Sequence, residues 1–133
     1  FAADRAQHLA EVVEPALAEG SDVITDRSYG STLAYQGHGR GQSIDELMGL
    51  VEWASGGLLP DLVVLLTVPV DTADGRLGEQ RDRMEREDGN FAVRVIDGFV
   101  ALATADPDRW IVVDGSGSIE EVAERVTNAV GVK

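Results

Sequence analysis

Cysteine is absent from the 133 residues, and histidine is limited to His8 and His38. No disulfide framework and no thiolate zinc site can form, and a histidine-rich metal site has too few ligands. Positive charge is also scarce. Eleven Lys and Arg stand against 24 Asp and Glu, for a formal charge of -13. A surface that grips nucleic acid or an anionic membrane needs a cationic footprint, so neither partner is expected. A small pocket where a few Arg gather around one nucleotide remains compatible with that balance. No apolar run approaches the ~20 residues that span a bilayer. The opening Phe1-Ala2-Ala3-Asp4-Arg5 is no signal peptide. No initiator Met precedes Phe1, so an upstream segment is expected. The composition describes one acidic, soluble domain of cytoplasmic type.

Periodicity supplies the organisation. Leu9, Val12, Val13, Ala16 and Leu17 share a helical stripe that Gly20 can close, with Pro15 predicted to kink or break it. Val23 and Ile24 read as a short strand ending at Asp26-Arg27, and Ser28 to Gln42 as a Gly-rich loop with a helical turn. Ser43 and Glu46 have capping-box spacing before Ile44, Leu47, Met48 and Val51. Leu62 to Leu66, between Pro60 and Pro69, is apolar without alternation and suits a strand buried on both faces. Asp71 can cap a charged helix through Arg83 or beyond. Phe91, Val95, Phe99 and Leu102 stripe the next helix, which Asp106-Pro107-Asp108 ends. Trp110 to Val113 is another strand, and Ser118 to Glu121 a second capping box before Ile119, Val122 and Val126. Strands alternating with helices predict an α/β chain with a parallel sheet.

In parallel sheets, ligands bind beyond the carboxyl ends of strands. That rule selects Asp26-Arg27, the segment after Val68, and Asp114-Gly115-Ser116-Gly117. Asp26 and Arg27 together can orient a hydrated Mg²⁺ and a phosphate, or form an ordinary loop salt bridge. The stretch Arg76 to Glu87, with Arg81 and Arg83, can neutralise a transferring phosphoryl group, or present a solvated charged face. Phe1 and Arg5 share a helical face, where a ring can stack on a base and a guanidinium can reach a carbonyl; the plainer alternative is a core Phe and a surface Arg. Tyr35, Gln36 and His38 are ambiguous singly.

Taken in order, these pieces resemble the thymidylate kinase family, which phosphorylates dTMP. The resemblance runs through Phe1 to His8, Asp26-Arg27, Ser31 to Gly37, Leu59-Pro60-Asp61-Leu62, Asp82-Arg83-Met84-Glu85, Arg109 to Asp114 and Ser118 to Val122. It covers essentially the whole chain, and the arginine-bearing Asp82 to Glu85 segment is similar to the family's bacterial form. The resemblance implies a P-loop-kinase-like parallel sheet with helices on both faces, transfer of the ATP γ-phosphoryl group to dTMP with Mg²⁺, and a homodimer. It implies that Phe1 stacks on thymine, with Asp4 beside it, and that Arg5 hydrogen-bonds a thymine carbonyl. Thr32 would lie near the base, Tyr35 against the deoxyribose, and Gln36 in the pocket wall. Asp26 and Arg27 would sit beside the sugar, magnesium and acceptor phosphate. Arg81, Arg83 and Arg76 would close on the phosphates, and the Asp114-Gly115-Ser116 turn would pack on adenine.

The departures have consequences. No G-x-x-x-x-G-K-[ST] occurs, and Gly37, Gly39 and Gly41 offer no substitute because no Lys stands in register. The family carries that loop upstream of the segment Phe1 matches. Residues 1–133 are therefore expected to be an N-terminally incomplete portion of the domain, inactive alone, with strand edges left open. Thr67, Ser28, Ile96 and Phe99 replace residues more usual in similar sequences. A catalytically silent nucleotide-binding or interaction domain is the competing expectation.

Overall fold

The computed structural model describes residues 1–69 and 89–131. The chain opens with α1 (Ala2–His8), runs through a π-helical stretch, Leu9–Val13, and ends this rod as α2 (Glu14–Ala18). Pro15 accounts for the middle. In a regular α-helix its ring would press on the carbonyl four residues back, at Glu11, and would supply no N–H to it. Glu11 lies inside the widened stretch, which accommodates the ring while the helix continues. The predicted kink is thus a widening. Ser21 N–H on the Ala16 carbonyl and Gly20 N–H on that of Leu17 close the rod, as the glycine suggested.

Two expectations need correction. Val23 and Ile24 form no strand; they make no ladder with any described residue, and Ile24 is 98% exposed. Apolar character cannot by itself make a strand, because the backbone groups need a paired neighbour. Ser28 to Gln42 is likewise not a loop. It holds α3 (Tyr29–Thr32) and a second π-helical stretch, Leu33–Gly39. Its glycines hide a buried stripe of Tyr29, Leu33, Ala34 and Gly37 at helical spacing. A Cβ at Gly37 would strike the end of the Ile44 side chain, so the bare glycine lets Ile44 sit directly against this stretch.

That helix, α4 (Ile44–Ser55), begins as predicted, with the Ser43 hydroxyl accepting from Glu46 N–H at 3.3 Å. Leu47, Val51 and Ala54 are buried, and α1 packs against this element. Trp53, off that stripe, is 82% exposed.

The chain divides into two compact units. The first contains residues 1–59 and 93–99, and the second residues 60–92 and 100–133. In the second, β1 (Val63–Thr67) pairs in parallel with β2 (Trp110–Asp114), Val63 opposite Trp110 and Thr67 opposite Asp114. The predicted α/β class with a parallel sheet is present. The strands are less covered than expected: Leu66 and Val112 are exposed, whereas Trp110 and Val113 are buried. A parallel strand disappears from solvent only when layers cover both faces.

Helix α5 (Gly89–Ala105) gives residues 93–99 to the first unit and its ends to the second. It buries Phe91, Val95 and Ala103, half-buries Phe99 and Leu102, and stops at Asp106, as the stripe and the Asp-Pro-Asp signal indicated. The Asp106 carboxylate accepts from Arg109 N–H at 3.2 Å and pairs with its side chain at 3.3 Å, turning the chain into β2. Helix α6 (Ile119–Gly131) starts with a complete capping box and lies against β2. Ser118 N–H donates to Glu121 Oε2 at 2.8 Å, and Glu121 N–H to Ser118 Oγ at 3.2 Å. The expected helix from Asp71 to Arg83 lies outside the described residues.

Candidate functional site

In the first unit, α1, α3, the second π stretch and α4 enclose a cavity of about 220 Å³. Four residues singled out in the sequence line it: Phe1, Arg5, Thr32 and Gln36. Each arrives from local structure. Phe1 caps α1, and Arg5 lies four residues further along the same face, with its backbone N–H donating to the Phe1 carbonyl at 2.9 Å. Thr32 and Gln36 are likewise four apart where α3 passes into the π stretch. Arg5 Nη2 donates to Thr32 Oγ1 at 2.8 Å and to the Ser28 carbonyl at 3.5 Å. Burial lowers the Arg5 pKa from its ordinary value, and the Asp4 charge opposes that shift. The cation is therefore held in place and partly stripped of water, which strengthens its remaining interactions.

Leu47, Leu50 and Val51 of α4 give the cavity an apolar wall, and Gln42 adds a second amide. These four were missed. Leu47 and Val51 were legible as a helix stripe, but a stripe does not say that part of it faces a cavity. Asp4 is exposed and does not line the cavity; its contribution is the charge beside Arg5. A ring, a fixed cation, amides and an apolar wall suit a flat heterocycle carrying carbonyl groups.

Asp26 and Arg27 are exposed. Arg27 has φ of 65°, the left-handed region that residues other than glycine seldom enter, and Thr25 Oγ1 donates to its carbonyl at 3.2 Å. Such a conformation is held at a cost. The Arg27 guanidinium lies 5.8 Å from the centre of the Tyr35 ring, within cation–π range. The Phe99 ring meets Tyr35 edge-on at 6.2 Å between centres. Arg94 Nε donates to the Gly39 carbonyl at 2.9 Å and ties the end of the π stretch to α5. Tyr35 thus braces Arg27 and does not line the cavity. Phe99 and Arg94 were not identified as site residues from the sequence, because they are far from Tyr35 and Gly39 along the chain.

The second unit carries a separate cleft of about 470 Å³, lined by Leu66, Gly115, Gly117, Ser118, Ile119 and Val122. Of the predicted Asp114, Gly115 and Ser116, only Gly115 lines it, while Asp114 and Ser116 shape its turn. Asp114 Oδ1 accepts from Ser116 N–H at 2.9 Å, and this bond, more than the nearby Arg125 charge, lowers the Asp114 pKa below the ordinary carboxylate value. A carboxyl depressed in the folded state stabilises it fully above the unfolded value of about 3.9 and loses that contribution as pH falls through the folded one. Asp114→Asn is therefore expected to flatten the acid side of the melting temperature–pH curve, read by circular dichroism from pH 6 downwards. An unchanged acid limb would show that the turn carries no such linkage.

Among the described residues, no group of three His, Asp or Glu side chains gathers as a metal cage. Arg76, Arg81 and Arg83 lie outside the described residues.

The family model for thymidylate kinase matches residues 1–126 of this chain. A thymidylate kinase of Leifsonia xyli subsp. xyli is 47% identical over 95% of the chain and 61% of its own length. One from Synechococcus sp. is 45% identical over 98% of the chain and 63% of its own. One from Neisseria gonorrhoeae is 42% identical over 95% and 62%. The chain spans about three-fifths of the length of these curated relatives.

Proposed function

Because the chain belongs to the thymidylate kinase family, we propose that the whole protein transfers the γ-phosphoryl group of ATP to dTMP, giving dTDP and ADP. An oxygen of the dTMP phosphate forms the new bond to the γ-phosphorus as the bond to ADP breaks. The observation that carries this reading is the convergence of Phe1, Arg5, Thr32 and Gln36 on one cavity, with Arg5 already fixed on Thr32. Phe1 stacks on thymine, Arg5 donates to a thymine carbonyl, and Thr32 and Gln36 complete the polar edge. Tyr35 sits at the sugar, and Arg27, steadied by that ring, meets the acceptor phosphate.

Arg81 and Arg83, with Arg76, offset the charge of the transferring group, a task that is mostly electrostatic. The Asp114 to Ser118 turn receives the adenine of ATP. Mg²⁺ keeps most of its waters and takes one or two carboxylates together with substrate phosphates, so exposed Asp26 beside Arg27 fits it as a ligand through water. When bound, the ion offsets phosphate charge. The phosphate cradle that residues 1–133 lack belongs to the part of the family's length this chain does not span. A two-fold homodimer, formed through faces that include Trp53, and a cytoplasmic location complete the proposal. No described helix is long and apolar enough to cross a membrane.

The test is ADP release by the protein at its full encoded length, with ATP, Mg²⁺ and dTMP, the product identified as dTDP by chromatography. dTMP-dependent release is expected. Tight dTMP binding without turnover would transfer the assignment to a silent nucleotide-binding domain.

A further inference from the structure

The turn between β2 and α6 is fastened at both ends. Gly115 N–H donates to the Thr67 carbonyl of β1 at 2.8 Å, and Ser118 N–H donates to Glu121 of α6. The middle has a third fastening that the sequence did not suggest. Arg125 Nη1 donates to the Asp114 carbonyl, and Nη2 to the Ser116 carbonyl at 2.7 Å, with the Asp114 carboxylate 3.8 Å from Nη1. One planar guanidinium thus holds two carbonyls on either side of Gly115, a geometry that a lysine ammonium cannot reproduce.

Gly117 shows how closely the parts fit. Its φ is +100°, and a Cβ there would strike the Glu121 carboxylate and come within 3.1 Å of Arg125 Nη2. Arg125 and Asp114 are both substantially exposed, so their ion pair adds little to stability. The consequence of the clip is geometric. It fixes the backbone of Gly115 and Gly117, which line the cleft together with the apolar groups of Leu66, Ile119 and Val122. Ile119 is 85% exposed there, a large apolar side chain at the cleft mouth with room for a flat ring against it.

We propose that Arg125 is a positioning residue for the donor nucleotide: by clipping the Asp114 and Ser116 carbonyls it holds the turn on which the purine base packs. This rests on the reading of the cleft as the ATP site. Arg125 touches neither base nor phosphate, and it acts through the turn.

Steady-state kinetics of the full-length protein separate this role from a merely structural one. Arg125→Ala is expected to raise KM for ATP about tenfold, the scale of losing one charged donor. The kcat at saturating ATP and KM for dTMP are expected to stay within about twofold. Arg125→Lys keeps the charge but can serve only one carbonyl at a time, so it should fall between wild type and Arg125→Ala; it is the variant to read if Arg125→Ala does not fold. Ile119→Arg, at the cleft mouth, tests the underlying reading. If Ile119→Arg raises KM for ATP and the Arg125 variants do not, the proposal is overturned while the ATP site stands. If neither moves it, both fall. If the Arg125 variants raise it and Ile119→Arg does not, the guanidinium acts outside this cleft and the proposal is again overturned. An equal loss of dTMP and ATP binding in Arg125→Lys would show a general structural role instead.

Discussion

Arg5→Met is expected to lower kcat/KM for dTMP by about two orders of magnitude while leaving KM for ATP within about twofold. Arg5 donates to Thr32 Oγ1 at 2.8 Å and lines the cavity with its guanidinium partly buried. Methionine keeps much of the stem's volume but removes every donor. The substrate carbonyl then enters a site with no partner, and Thr32 loses the group that holds its hydroxyl. A hydrogen bond from a charged donor contributes roughly 1.5–3 kcal/mol, and ~2.7 kcal/mol corresponds to about a hundredfold. Arg5→Lys should recover only part of the loss, since one ammonium does not reproduce the guanidinium fork. Initial rates with dTMP varied at saturating ATP measure both. A change below about threefold in Arg5→Met would remove Arg5 from base recognition.

Trp110→Ala is expected to have the largest effect on stability. Trp110 is 6% exposed, stands first in β2 opposite Val63, and follows directly on the Asp106–Arg109 turn. Truncating a buried tryptophan to alanine costs about 3–5 kcal/mol, against a total of only ~5–15 kcal/mol for a domain. The melting temperature of the full-length protein should fall by more than about 10 °C, or the cooperative transition should be lost. Trp110→Phe, which refills most of the space, should lose less than half as much. A drop of only a few degrees in Trp110→Ala would mean that β2 is held by other contacts. The two experiments are complementary: the first should spare the melting temperature, the second should not.

The fold was legible wherever local rules and tertiary needs agree. Ser43 with Glu46 and Ser118 with Glu121 cap their helices as spacing alone indicated, and the stripe of Phe91 and Val95 is buried. Strand readings succeeded where two apolar runs pair, at Val63–Thr67 and Trp110–Asp114, and failed at Val23 and Ile24. Strand formation depends on a neighbour that no local pattern names. The segment 28–42 misled in the opposite direction. Glycine and polar composition describe a loop, yet Tyr29 of α3 and Leu33 and Ala34 of the π stretch are buried, and Gly37 sits against Ile44.

The sequence by itself determined the α/β class, the positions of the caps, and the residue types at Phe1, Arg5, Asp26, Arg27, Thr32, Tyr35 and Gln36. Those depend on interactions within a few residues, or on a linear order of motifs that survives without coordinates. Only the tertiary structure decided which of them meet. It joins Arg5 to Thr32, 27 residues away, and sets Arg27 above Tyr35. It brings Phe99 to Tyr35, Arg94 to Gly39, and Arg125 to the carbonyls of Asp114 and Ser116. Arg94 and Arg125 drew no attention in the sequence, because a guanidinium's role is set by the carbonyl, hydroxyl or ring it reaches. That distance is fixed by helix packing, and it leaves no trace in the spacing of the chain.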